Sequence, residues 1–105
     1  MIHRFTKEMA YAMQQGRKTM TTRYKPWKEQ ETSIVVYGSR YKPIKFGSIK
    51  VNSVLPTTWR LTLRAHYQEE GFNSQKQMLD FVTKKKLVKG TLDDAVWSMK
   101  FEYYS

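Results

Sequence analysis

The chain has 105 residues, room for one domain with one modest core, and 40% hydrophobic against 27% charged residues excludes wholesale disorder. It has no cysteine, which excludes disulfides and thiolate chemistry; no apolar run approaches the roughly 20 residues of a membrane span. The net charge of +10 is uneven, with 11 Lys/Arg against 3 acids in residues 1–52 and 8 against 6 in residues 53–105; that imbalance points to a polyanion partner, where charge evenly spread would speak only of solubility.

Met1-Ile2-His3-Arg4-Phe5 lacks the apolar core of a signal peptide, so a cytoplasmic location is expected. Phe5, Met9, Ala12 and Met13 then recur at helical spacing behind Thr6, a good N-cap, and predict a helix over about 7–15. Gly16 suits the left-handed residue that ends a helix. Beyond it, Thr19, Thr21 and Arg23 alternate with Met20 and Thr22, the period of a strand. Gly16-Arg17-Lys18-Thr19-Met20-Thr21-Thr22-Arg23 thus packs three cations and three hydroxyls into eight residues. It reads either as a solvated basic turn or as an anion-attracting cluster with Lys18 at its mouth.

Tyr24-Lys25-Pro26-Trp27-Lys28 interleaves aromatic rings and cations. It serves single-stranded nucleic acid if the rings stack on bases, or it is a loop whose rings pack on the fold. Ser33 to Tyr37 reads as a buried strand, broken by Gly38-Ser39. A second basic-aromatic loop follows, with Arg40, Lys42 and Lys45 around Tyr41, Pro43 and Phe46. Gly47 opens a strand over about 48–55 that Pro56 is expected to stop. Thr58 to Glu70 fits both periods, and is read as a strand or extended turn leading into a short helix that ends at Gly71. Ser74-Gln75-Lys76-Gln77 is a capping box for a helix over about 75–85, closed by Lys84-Lys85-Lys86 as a solvated end. Trp97, Met99, Phe101 and Tyr103 alternate with Ser98, Lys100 and Glu102 in a half-buried C-terminal strand.

Gly-Arg-Lys-Thr-x-Thr-x-Arg after a short helix resembles the signature of the ASCH domain. Phe46 to Val51, Glu70-Gly71-Phe72 before a helix, and the strand from Val96 to Tyr103 agree with it in order. The resemblance covers nearly the whole chain. It implies an α+β fold, a PUA-like open β-barrel with a mixed sheet of five to six strands and two or three peripheral helices, as a single domain over 1–105. It also implies a cleft at the signature that takes RNA or nucleosides.

Two functions are carried forward. The first is an RNA-, single-strand- or nucleoside-binding module using Arg17, Lys18, Thr19, Arg23, Lys25, Trp27, Lys28, Arg40 and Lys42. The second is a small amidohydrolase acting on N4-acetylcytidine-type nucleosides. A desolvated lysine serves as a base, a threonine hydroxyl as a nucleophile and a carboxylate as a proton carrier. By resemblance these roles fall on Lys18, Thr21 and Glu70, with Glu69 the alternative carboxylate. His3 and His66 have no metal-ligand spacing and no Gly-rich phosphate loop is present, so neither metal nor cofactor is expected. A monomer or weak dimer is expected.

Overall fold

The computed structural model describes all residues, Met1–Ser105. Its elements in chain order are β1 (Ile2–Arg4), α1 (Lys7–Gln14), β2 (Met20–Arg23), β3 (Thr32–Gly38), β4 (Pro43–Thr58), α2 (Trp59–His66), α3 (Gln75–Lys84) and β5 (Ala95–Tyr104). The five strands form one sheet in the order β1-β3-β4-β5-β2, with β1 parallel to β3 and the other pairs antiparallel. The fold is therefore α+β with a mixed sheet and three helices. The sheet is open, with β1 and β2 as its edges, but it curls until those edges nearly meet. An Arg23 guanidinium nitrogen on β2 donates to the Arg4 carbonyl on β1 at 3.2 Å.

One core fills the curl. Met9 and Met13 of α1, Val35 of β3, Ile49 and Val51 of β4, and Met99 and Phe101 of β5 are buried together with Trp59, Leu63, Met78 and Val82 from the other helices. Thr6 and Ser74 cap α1 and α3 as predicted, and Thr58, not among the predicted caps, closes the start of α2; each accepts from the N–H three residues on.

One strand has no counterpart in the sequence reading, and three sequence expectations need correction. The segment Ile2–Arg4 is a strand that pattern reading left unassigned; three residues give too short a run to show a period. β4 begins at Pro43 rather than Gly47, so part of the second basic-aromatic loop belongs to a strand. β4 also continues through Pro56, which sits opposite Trp97. β3 ends its pairing at Lys50, so beyond that point β4 is an edge strand, where a residue without an N–H costs no ladder bond. Finally, Trp59 starts a helix directly after Thr58. The alternation of Trp59, Leu61 and Leu63 was misleading: Trp59, Thr62 and Leu63 are buried at helical spacing while Leu61 is 55% exposed.

Candidate functional site

The site begins at the end of α1. Gly16 stands at φ 77°, its N–H donates to Met13 O at 3.0 Å, and the Arg17 N–H donates to Ala12 O at 2.9 Å. This Schellman closure turns the chain so that Lys18 leaves before strand geometry starts at Met20. The segment after α2 then runs along the outer edge of this approach. Thr19 and Met20 donate their N–H groups to Glu69 O at 2.8 and 3.1 Å, and Lys18 and Glu70 form an isolated antiparallel bridge. Gly71 makes the tight exit at φ 101°, where a Cβ would crowd its neighbours, lying 3.1 Å from Lys18 Cβ and 3.3 Å from Ala12 Cβ.

The bridge buries a charge pair, with Lys18 3% and Glu70 4% exposed. Lys18 Nζ donates to Met20 O at 2.8 Å, Glu70 O at 3.1 Å and Glu70 Oε1 at 3.2 Å, three acceptors for three protons. The Thr22 hydroxyl donates to Glu70 Oε2 at 2.6 Å. Burial pushes the Lys18 ammonium below its ordinary pKa, the Glu70 carboxylate works against that shift, and the Arg23 cation adds to it.

Over this floor lies a cavity of about 490 Å³, walled by residues that include Phe5, Met9, Trp59 and Phe72. Five cations and one carboxylate line it: Arg4, Lys18, Arg23, Lys86 and Lys89 against Glu70. Lys18 and Glu70 offset each other, and none of the remaining four is in an ion pair. Arg23 is held in place. Its Nε donates to Thr21 Oγ1 at 3.4 Å, and its guanidinium carbon lies 5.1 and 5.3 Å from the Phe5 and Trp27 ring centres. Tyr24 fastens the opposite wall. Its hydroxyl donates to Asp94 at 2.7 Å and accepts from the Lys89 N–H at 2.8 Å and Trp59 Nε1 at 3.2 Å.

Of the sequence-predicted residues, Lys18, Thr21, Arg23 and Glu70 converge on this cavity. Glu69 does not: it is half-exposed and bonded to His66 at 2.8 Å. Arg17 points away, donating to Gly71 O at 3.3 Å beside a separate groove that Glu8 and Asp80 also line. Thr19 is exposed, its backbone spent on Glu69 and Phe101. Lys25, Lys28, Arg40 and Lys42 are exposed and outside the cavity. Trp27 is not a free platform. His3 stacks on it at 3.7 Å between ring centres, and Phe5 meets it edge-on. Sequence reasoning passed over Thr22, the hydroxyl that bonds Glu70, and the rim cations Arg4, Lys86 and Lys89. Nothing local marks these: Arg4 looks like a stray N-terminal charge, and a lysine run at a helix end is expected for dipole reasons alone.

Fold and site together define a small α+β domain with a cation-rimmed cavity where the two edges of a curled sheet approach. The fold is that of ASCH domains. Over 95% of this chain and 64% of the other, it matches the crystal structure of ASCH from Zymomonas mobilis at TM-score 0.65 and 19% identity. The ASCH domain from Lactobacillus crispatus matches at TM-score 0.60 and 14% identity, over 90% of this chain and 69% of that one. A protein from Enterococcus faecalis matches at 0.64 and 15%, with the same two coverages of 90% and 69%. This chain thus spans about two thirds of the length of these structures. No family model matches the sequence, and no curated protein matches it.

Proposed function

We propose that this domain binds single-stranded nucleic acid, RNA first, by taking one base into the cavity while the rim cations meet the adjoining backbone. The observation that carries the reading is the convergence of four cations without ion-pair partners on one apolar-walled cavity. At about 490 Å³ it falls within the usual size of small-molecule sites. Aromatic walls suit a flat base, and the Lys18–Glu70–Thr22 floor offers polar groups at its end. The outlying cations Lys25, Lys28, Arg40 and Lys42 belong in this reading to the wider electrostatic field that draws a polyanion in. The test is anisotropy of a labelled single-stranded RNA. Arg23→Gln should weaken binding about tenfold or more, the usual loss of a charge-assisted contact, and Lys28→Gln should change it far less. Equal losses from both would return the cavity to a structural role.

A second reading is kept on one specific observation: Lys18, Glu70 and Thr21 line the same base-sized cavity. It is the amidohydrolase acting on N4-acetylcytidine-type nucleosides, with Lys18 as base, Thr21 as nucleophile and Glu70 as proton carrier. Thr21 is not among the three partners of Lys18 Nζ, so turnover requires Lys18 to release one of them. In this reading Thr21→Val abolishes turnover and Glu70→Gln lowers it by about 10²–10⁴-fold. A preparation that leaves N4-acetylcytidine intact at every pH tried removes the reading.

A further inference from the structure

Lys86 has a backbone that its side chain does not favour. It sits at φ 56°, in the left-handed region. The reason is the end of α3: the Lys86 N–H donates to Thr83 O at 3.1 Å and the Leu87 N–H to Val82 O at 2.9 Å. This is the same Schellman closure that ends α1, where the equivalent left-handed residue is Gly16. Glycine would close α3 with less strain, yet this position carries a lysine, and that lysine lines the cavity mouth. Strain of this kind persists where the surroundings impose it, and it is enriched at ligand sites.

Three residues on, Lys89 lines the same mouth. Its position is fixed from both ends: its N–H donates to Tyr24 Oη at 2.8 Å, and its Nζ lies 5.2 Å from the Tyr24 ring centre. The Asp94 carboxylate holds the rest of the loop, accepting from the Gly90 N–H at 3.0 Å, the Thr91 N–H at 3.1 Å and the Tyr24 hydroxyl. Arg4 and Arg23 line the same cavity from the two sheet edges; the Arg4 guanidinium donates to Gly38 O at 3.0 Å, and Arg23 donates to Arg4 O. None of these four cations is ion-paired, so their charges repel one another across the cavity, and a bound anion relieves that repulsion.

We infer that Lys86 and Lys89, on the loop joining α3 to β5, form with Arg4 and Arg23 a clamp for a nucleotide phosphate, so that the site takes phosphorylated nucleotides or strands and discriminates against neutral nucleosides. This rests on the nucleic-acid reading of the cavity. Lys86→Gly is the informative variant, because the two effects have opposite signs. It removes backbone strain, so the melting temperature holds or rises, and it removes a phosphate contact, so affinity falls. Lys85→Gly is the control: Lys85 has ordinary helical geometry at φ −82° and does not line the cavity.

The experiment measures binding of a short labelled single-stranded RNA across a salt series, with competition by the four ribonucleosides and their 5′-monophosphates. The clamp predicts that Lys86→Gly and Lys89→Ala each weaken RNA binding about tenfold or more. Each should lower the log-log salt slope by about 0.7. Lys85→Gly should leave affinity within twofold or so, and the monophosphates should outcompete their nucleosides. If wild type binds RNA but Lys86→Gly and Lys89→Ala bind like Lys85→Gly, the clamp is wrong and the cavity reading stands. If nucleosides compete as well as monophosphates, the clamp is again wrong. If wild type binds neither RNA nor monophosphate, both fail together.

Discussion

Removing either half of the buried pair should not cost the same. Lys18→Met leaves the buried Glu70 carboxylate without its ion-pair partner and hydrogen-bonded only by the Thr22 hydroxyl, and should cost about 3–5 kcal/mol of stability. Glu70→Gln keeps an acceptor oxygen near Nζ and both backbone acceptors, so its cost should be clearly smaller. The double variant should be more stable than Lys18→Met alone; chemical unfolding of all four proteins, read as a cycle, checks this, and strict additivity would mean that the pair is not coupled. His3 gives a pH test. Burial, with the Arg23 cation second, lowers its pKa from 6.5 to about 4. Between those values the unfolded chain binds the extra proton, so stability is complete above about pH 6.5 and is lost as pH falls towards 4. His3→Phe keeps a ring against Trp27 and should remove that part of the acid slope in a melting series. At this scale the resemblance names Lys18, Thr21 and Glu70, which all line the cavity, but not Thr22, whose hydroxyl bonds Glu70. Strand alternation puts Thr21 and Thr22 on opposite faces, and only the position of α2, whose Thr62 lies 3.5 Å from the Thr22 hydroxyl, shows which faces Glu70.

Elements bring the site together through turns, and the turns are where sequence patterns are strongest and weakest. α1, α3 and β5 were legible because caps and periods agree over eight to ten residues. β4 was cut short because Pro56 stops a central strand but not an edge, and edge status depends on where β3 begins, at Thr32 opposite Lys50. The start of α2 was hidden because Trp59, Leu61 and Leu63 also fit a strand; Thr58 as N-cap was the sequence signal that should have decided it. Thr58→Ala should therefore cost about 1 kcal/mol. Gly71→Ala is a sharper test of how the turn after α2 builds the site. The added methyl meets Lys18 and Ala12 within 3.1 and 3.3 Å, on a backbone at φ 101°. The loss should exceed about 1–2 kcal/mol, the cost of left-handed geometry alone. Lys18 and Glu70 should also move apart, seen as loss of coupling in the double-variant cycle. A Gly71→Ala protein with intact coupling would show that the bridge does not depend on this turn.

For the whole molecule, the net charge of +10 points to a polyanion partner, and the proposed reading puts its main contact away from the basic-aromatic loops. The chain's first half is the more basic, so the basic-aromatic loops of that half looked like the footprint. Folding gathers the cavity cations from both halves: Arg4 and Arg23 from the sheet edges, Lys86 and Lys89 from the last loop. No periodicity or local motif links positions so far apart; the curl of the sheet does. This geometry gives a quantitative expectation for binding. Four cations that each displace one counterion from a single strand give a log-log slope of affinity against salt of about −3. If the exposed Lys25, Lys28, Arg40 and Lys42 also touched phosphate, the slope would approach about −6. The slope therefore separates a local cavity-mouth contact from a strand laid across the whole basic surface. Lys28→Gln should leave a slope near −3 unchanged, whereas Arg23→Gln should reduce its size by about 0.7. Affinity that does not change with salt would refute a phosphate-dominated mode and leave a cavity that reads only the uncharged part of its ligand.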